Sequence, residues 1–170
     1  MTVRRLEPED GEAWFRLLVE GATLFPAAFL QTPGEARATP RDRLPSIMRD
    51  GHHWGVFEGD DLVGFASIRF QTLSRMAHRA YLGPFYIRPA WQGTGAAYRL
   101  LDGVLAILRE SGIRQVDLWV AEANGRAFAF YERHGFVKVG RMPRAVIMED
   151  TGPEADLLMV AMLDGADPSV

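Results

Sequence analysis

The sequence predicts an α/β fold in which a mixed β-sheet carries helices on both faces. Short apolar and alternating runs typical of strands are interleaved with amphipathic runs typical of helices. The predicted order is a strand, two helices, three strands, a helix, a strand, a helix and two strands. A chain that mixes strands and helices in this way has to cover its sheet on both faces, which is why we predict this class.

The first half of the chain predicts a strand, two helices and a hairpin. A short strand covers Val3–Leu6, and acidic residues after Pro8 begin a helix over about residues 9–20, because the helix dipole favours negative charge there. The proline-rich segment 25–45 is predicted to be mobile and surface-lying, with a short helix around Arg41–Arg49. Two apolar runs separated by a Gly-Asp turn predict hairpin strands at 54–57 and 62–70.

In the second half, the hydrophobic period changes from strand to helix at a glycine-rich turn. A strand over Tyr81–Ile87 ends at Arg88-Pro89, and after Gly95 the apolar residues recur with helical spacing. The remaining predicted elements are a strand at Val116–Val120, a helix at Asn124–His134 with Asn124 as N-cap and Gly135 as stop signal, and closing strands at Phe136–Val139 and Ala155–Leu163.

Length and composition predict one domain over residues 1–165, followed by a short C-terminal tail at 166–170. The chain has 170 residues, 48% hydrophobic content and a net charge of −3, so it has no overall positive field that would attract nucleic acid or an anionic membrane. The absence of cysteine excludes thiolate nucleophiles and cysteine-containing zinc sites, and we expect no metal cofactor. Because the N-terminus lacks an apolar targeting segment, we expect a cytoplasmic protein.

A candidate phosphate-binding loop lies between the strand 81–87 and the following helix. Its residues are Gln92, Gly93, Thr94, Gly95, Ala96 and Ala97. Glycines allow the backbone to approach an anion closely, and the unpaired N–H groups at a helix N-terminus bind phosphate groups. Such a turn can also be an ordinary flexible connection, so the loop alone does not identify a ligand.

Two other phosphate loops fit this segment less well. A P-loop needs the spacing G-x-x-x-x-G-K-[ST], and no lysine follows these glycines. The dinucleotide fingerprint G-x-G-x-x-G requires a third glycine where Tyr98 stands, and it begins directly at the end of its strand. Nicotinamide dinucleotide binding therefore remains a weak alternative.

A second signal is the segment Asn124–Phe136, which reads N-x-x-A-x-x-x-Y-E-x-x-G-F. Asn124 and Tyr131 are seven residues apart, which is nearly two helical turns, so they lie on one helix face about 10 Å apart along the axis. Both can then face one extended ligand. The alternatives are an N-cap for Asn124 and a half-buried aromatic for Tyr131.

Together, the loop and the Asn-Tyr segment resemble the GNAT superfamily of acyl-CoA-dependent N-acyltransferases. The loop resembles the family's [QR]-x-x-G-x-[GA] motif, and the resemblance is strongest over residues 80–136. It implies a single-domain fold with a mostly antiparallel sheet of about seven strands, and acetyl-CoA as co-substrate. It further implies that residues 92–97 hold the pyrophosphate, that Asn124 faces the cofactor, and that the backbone of Phe85, Tyr86 and Ile87 pairs with the pantetheine amides.

By the same resemblance, Tyr131 is the catalytic residue that donates a proton to the leaving sulfur. Many family members also carry a glutamate that acts as general base on the strand before the loop, but Gly83 or Pro84 stands at that position here. His78 and Glu35 are candidate substitutes, although a surface role is the stronger interpretation for each. The histidines at 52, 53 and 134 are expected to have packing or surface roles.

The predicted function is acetyl transfer from acetyl-CoA to a primary amine of a small molecule or peptide. The missing glutamate favours an acceptor amine of low pKa, and it also leaves open a non-catalytic acyl-CoA-binding sensor. Phe25, Phe29 and Trp54 are candidates for an acceptor pocket, although aromatic residues are more often part of a core. A homodimer is common in the family, and nothing in the sequence identifies the acceptor.

Overall fold

The computed structural model describes residues 1–167, which form seven strands and five helices, with short 3₁₀ turns between some of them. The strands are β1 Thr2–Arg5, β2 His53–Glu58, β3 Asp61–Phe70, β4 Arg79–Ile87, β5 Gln115–Ala121, β6 Val137–Met148 and β7 Gly152–Met162. The helices are α1 Gly11–Leu24, α2 Pro33–Arg37, α3 Leu44–Arg49, α4 Ala96–Glu110 and α5 Gly125–Arg133.

The seven strands form one sheet in the order β1-β2-β3-β4-β5-β7-β6. Neighbours pair antiparallel at β1–β2, β2–β3, β5–β7 and β6–β7, whereas β4 and β5 pair in parallel. The parallel register joins residues 79–81 of β4 to residues 115–117 of β5. The predicted α/β class, with a mixed and mostly antiparallel sheet of seven strands, is confirmed.

The chain forms two compact units, and β4 contributes to both. The first contains Met1–Arg69 and Pro84–Ile107, and the second contains Phe70–Gly83 and the chain from Leu108 onward. The predicted domain limits at 165 and 166 stay a prediction, and residues 168–170 of the predicted tail lie outside the described residues.

In the first unit, α1 and α3 bury apolar side chains against β2 and β3. Trp14 and Leu18 recur with helical spacing on the buried face of α1, and Trp14 meets the ring of Phe65 edge-on at 6.1 Å. The cluster of buried residues is Leu6, Trp14, Phe15, Leu17, Leu18, Ala22, Phe29, Ala36, Leu44, Met48, Phe57, Leu62, Phe65 and Tyr86. Phe29, which was a candidate for an acceptor pocket, therefore belongs to the core, and Trp54 is also buried.

Segment 25–45 lies mostly at the surface, as predicted, but it also contains the helix α2, which was not predicted. Thr32 caps α2 by accepting a hydrogen bond from the Glu35 N–H at 3.2 Å, and the Glu35 carboxylate accepts one in return from the Thr32 N–H at 2.8 Å. Ala36 on α2 is fully buried, as is Leu44 at the start of α3. Reciprocal capping and this burial hold the segment against α1.

In the second unit, β6 and β7 form a ribbon longer than the sequence predicts. The expected strand Phe136–Val139 continues to Met148, past a register shift between Met142 and Val146 where Arg144 has a φ of 54°. Such a bulge allows the strand to continue past Pro143, which cannot donate a ladder hydrogen bond. On β5, buried Val116 and Leu118 alternate with half-buried Asp117 on the opposite face.

Candidate functional site

The loop after β4 has the backbone geometry of an anion-binding turn. Gly93 and Gly95 have φ values of 81° and 90°, in the region that favours glycine. A Cβ added to either glycine would meet no other atom within 4 Å, so these positions need glycine for its conformation and not for lack of space. The space beside the backbone of both glycines is therefore open, and a ligand can approach the loop there.

Side chains at both ends fix the shape of this loop. The Gln92 side chain donates a hydrogen bond to the Ile87 carbonyl at 3.1 Å, and the Thr94 hydroxyl donates one to the Trp91 carbonyl at 2.7 Å. These two bonds tie the loop to the end of β4 before any ligand binds. A preorganised loop loses less entropy on binding than a mobile one.

Helix α4 begins immediately after the second glycine. The Arg99 N–H donates to the Gly95 carbonyl at 3.0 Å, which makes the first turn of the helix. The N–H groups of a first helical turn have no acceptor within the helix and carry the positive end of its dipole. Ala96 is fully buried and Ala97 half-buried, so the start of the helix is anchored by packing.

The end of β4 is held rigidly by a network that the sequence analysis missed. The buried Tyr86 donates its hydroxyl hydrogen to Glu20 at 2.8 Å, and the Arg88 guanidinium lies 3.3 Å from the same carboxylate oxygen. Burial, and then the hydrogen bond to Glu20, raise the pKa of Tyr86. No pattern in the sequence indicates that Tyr86 contacts Glu20 on α1. The neighbouring Phe85 is half-buried.

β3 also approaches this part of β4 closely. A Cβ added to Gly64 would lie 2.7 Å from the Tyr86 carbonyl oxygen and 2.3 Å from Cδ1 of Ile87. Only glycine fits beside β4 at this point, because a backbone carbonyl cannot move aside as a flexible side chain can. The position of Tyr86 and Ile87 is thus set from the neighbouring strand.

In the second unit, Asn124 caps α5 as the sequence predicts. Its side-chain oxygen accepts a hydrogen bond from the Ala127 N–H at 3.1 Å. The predicted role of Asn124 toward a cofactor stays a prediction.

Tyr131 is buried on α5, where its ring packs edge-on between two phenylalanines. The ring centroids of Phe130 and Phe136 lie 5.3 and 5.5 Å from that of Tyr131. Burial raises the pKa of the Tyr131 phenol, and the neighbouring phenol of Tyr81 raises it further. The hydroxyl therefore stays protonated and can donate a hydrogen bond throughout the ordinary pH range, while complete transfer of its proton costs more than it would from an unperturbed phenol.

Tyr81 shares a face of the sheet with a desolvated carboxylate. In the β4–β5 register, Tyr81 lies opposite Asp117, whose Oδ1 is 3.8 Å from Nε of Arg79. Burial raises the pKa of Asp117, and the positive charge of Arg79 opposes this shift. The sequence analysis missed Tyr81, although it stands two residues before Gly83 and so on the same face of the strand.

Of the two substitute bases considered, Glu35 is engaged as a helix cap. Its carboxylate accepts hydrogen bonds from the N–H and the hydroxyl of Thr32, and these bonds lower its pKa. Glu35 therefore acts as a helix cap and is a poor proton acceptor. His78 is exposed, and its carbonyl accepts from the N–H groups of Arg114 and Gln115.

His53 and His134 contact neighbouring residues through their ring nitrogens. Burial, with a smaller effect of the His52 charge, lowers the pKa of His53 to about 4, and its Nδ1 lies 2.7 Å from the Ser67 hydroxyl. Nδ1 of His134 lies 2.7 Å from the Phe130 carbonyl at the end of α5.

Within residues 1–167, no three His, Asp or Glu side chains are grouped as a metal site would require. Nor does any helix in that range combine the length and apolarity needed to cross a bilayer.

Sequence relatives of this chain include named acetyltransferases. A mycothiol acetyltransferase of Beutenbergia cavernae is 42% identical over 139 residues, which cover 82% of this chain and 35% of that protein. An aminoglycoside N(6')-acetyltransferase of Stenotrophomonas maltophilia is 26% identical over 83% of this chain and 89% of its own length. The chain thus spans well under half the length of the mycothiol acetyltransferases it matches.

The fold is shared with a solved acetyltransferase structure. A putative acetyltransferase of Salmonella typhimurium, solved with its cofactor acetyl-CoA, superposes with a TM-score of 0.83 over 98% of this chain and 96% of that one, at 17% identity. The model of the acetyltransferase (GNAT) family matches residues 18–136, which include the loop, Asn124 and Tyr131. The chain therefore belongs to the acetyltransferase (GNAT) family, as its sequence predicts.

Proposed function

We propose that the protein transfers the acetyl group of acetyl-CoA directly to a primary amine of a small molecule or peptide. The observation that carries this proposal is the loop at the start of α4, where two positive-φ glycines open the backbone at a helix N-terminus. Membership of the family supports acetyl transfer as the reaction class. The conformation of the loop supports binding of the pyrophosphate of acetyl-CoA.

In this proposal, the residues of the loop bind the pyrophosphate of the co-substrate. The N–H groups at the start of α4 would donate to its oxygens, with Gln92 and Thr94 shaping the backbone around it. Phe85, Tyr86 and Ile87 would offer backbone groups to the pantetheine amides, and Asn124 would face the same molecule. Acetyl-CoA supplies the activated acyl group.

For the chemistry, Tyr131 would donate a hydrogen bond to the sulfur as it leaves. Its raised pKa keeps the proton on the phenol at rest, so the hydroxyl retains a hydrogen that it can donate. A hydrogen bond that strengthens as negative charge develops on sulfur stabilises the transition state more than the ground state. The residue would thus raise turnover without contributing much to the affinity for acetyl-CoA.

The acceptor is proposed to be an amine of low pKa. Neutralising an amine of pKa about 10.4 at pH 7 costs about 4.6 kcal/mol, whereas an amine of pKa about 8 costs about 1.4 kcal/mol. Gly83 and Pro84 supply no carboxylate that would remove the proton. Aminoglycosides are worth testing first, because the relative from Stenotrophomonas maltophilia is named for them.

The binding half of the proposal is tested by titration calorimetry with acetyl-CoA and with NADH. We expect saturable binding of acetyl-CoA and no heat from NADH, because the loop lacks the third glycine of the dinucleotide fingerprint. Binding of NADH without binding of acetyl-CoA would overturn the proposal in favour of a dinucleotide-binding protein. Binding of acetyl-CoA without acetylation of any amine would instead indicate an acyl-CoA sensor.

A further inference from the structure

A phenol lies where a side chain at position 83 would project. Gly83 has a φ of 149°, and a Cβ added to it would lie 3.3 Å from both Cε1 and the hydroxyl oxygen of Tyr81. The Tyr81 ring therefore lies along β4, over the α-carbon of the residue two positions ahead. Its hydroxyl group lies beside the position that the side chain of a larger residue at 83 would occupy.

This hydroxyl has a polar and partly desolvated environment within the second unit. Burial, and then the phenol of Tyr81, raise the pKa of the Tyr131 phenol. Across the parallel register, Tyr81 lies opposite Asp117, and Tyr81 itself is half-buried. Of these two phenols, the one on β4 is the more accessible.

We propose, on the basis of the function proposed above, that Tyr81 is a second catalytic residue, whose hydroxyl oxygen accepts a hydrogen bond from the N–H of the attacking amine. This bond would align the nitrogen lone pair with the thioester carbonyl. It also strengthens during the reaction, because the N–H becomes more acidic as nitrogen bonds to carbon. Tyr81 would act on the incoming amine and Tyr131 on the departing sulfur.

The proton balance of the step requires no further reagent. The nitrogen lone pair forms the C–N bond while the C–S bond breaks and its electron pair stays on sulfur. The proton on nitrogen passes to the Tyr81 oxygen as that hydroxyl releases its own proton to water. The sulfur, hydrogen-bonded to Tyr131, takes up one proton from solvent, so an amine and a thioester give an amide and a thiol.

Gly83 is part of the same arrangement. With a φ of 149°, any other residue at position 83 would be strained, and its Cβ would push against the Tyr81 ring. Gly83, one of the two residues at which a family glutamate is expected, therefore allows Tyr81 to take the position described. Gly83→Ala should displace the hydroxyl while leaving it on the protein.

The test is Tyr81→Phe, which removes the hydroxyl and keeps the ring. We expect Tyr81→Phe to lower kcat/KM for the amine about tenfold, the effect of one lost hydrogen bond, with the affinity for acetyl-CoA unchanged. We further expect added imidazole to restore part of the rate in Tyr81→Phe at constant pH and to leave the wild type unaffected. A purely structural tyrosine would show no such rescue.

Gly83→Ala supplies an independent arm, and we expect a similar loss of kcat/KM and the same rescue by imidazole. Unchanged kcat/KM in Tyr81→Phe, or a loss without rescue in both variants, would overturn the assignment of Tyr81. This result differs from failure of the proposed function, in which the wild-type protein itself acetylates no amine. Thermal unfolding of each variant separates loss of fold from loss of chemistry.

Discussion

Tyr131→Phe should lower the rate of acetyl transfer about 10²-fold while the affinity for acetyl-CoA changes little. The substitution keeps the ring that packs between Phe130 and Phe136, so the fold of α5 is preserved. What is lost is the hydrogen bond to sulfur, which matters only as charge develops on the leaving group. Single-turnover kinetics at saturating acetyl-CoA measures this step, because binding no longer limits the signal.

The pH profile gives a further check on the same residue. Because burial raises the pKa of Tyr131 above its ordinary value of about 10, its titration should cause no loss of activity below pH 10 in the wild type. An unchanged single-turnover rate in Tyr131→Phe would remove Tyr131 from the catalytic residues. A loss that appears only in affinity or thermal stability would assign the hydroxyl to binding or folding.

Gly95→Asp should weaken the binding of acetyl-CoA about 10²-fold. The new carboxylate would stand at the N-terminus of α4, where it would repel the pyrophosphate and itself compete for the N–H groups. The positive φ of Gly95 adds backbone strain within the loop. Titration calorimetry with acetyl-CoA measures the change in the dissociation constant.

Gly112→Asp is the matched control for this loop substitution. Gly112 has a φ of 83°, has open space around its α-carbon and follows the other end of the same helix. The control therefore imposes a similar strain and the same charge without altering the loop, and its affinity for acetyl-CoA should stay close to that of the wild type. Equal losses in both variants would show that strain or net charge, and not the loop, controls binding.

The sequence predicted the elements whose signals are local. The glycines before α4 and the cap at Asn124 could be read directly, because a positive φ and an N-cap each favour few residue types. The hairpin and the change of period after Gly95 were equally clear. The cap at Thr32 could also be read as T-x-x-E, but the surrounding prolines led us to predict no helix over Pro33–Arg37.

Features that depend on contacts distant in sequence could not be predicted. The hydrogen bond of Tyr86 with Glu20 joins residues 66 positions apart, and nothing in the spacing of either residue indicates it. The position of the Tyr81 hydroxyl beside Gly83 could not be predicted, because it depends on the conformation of Gly83. The φ of 149° at this glycine cannot be deduced from sequence. The extent of β6 was underestimated because the strand continues past Val139 through two register shifts that depend on its pairing with β7.

The most direct test of the proposed function is acetyl transfer itself. The protein would be incubated with acetyl-CoA labelled in the acetyl group and with amines of graded pKa, including aminoglycosides. Mass spectrometry would follow the amide while a thiol reagent follows free CoA. We predict labelled amide and free thiol in equal amounts, well above the uncatalysed rate and fastest for amines of low pKa. Absence of labelled amide across the whole panel, with the protein folded and saturated with acetyl-CoA, would contradict the proposal that this chain is an acetyltransferase.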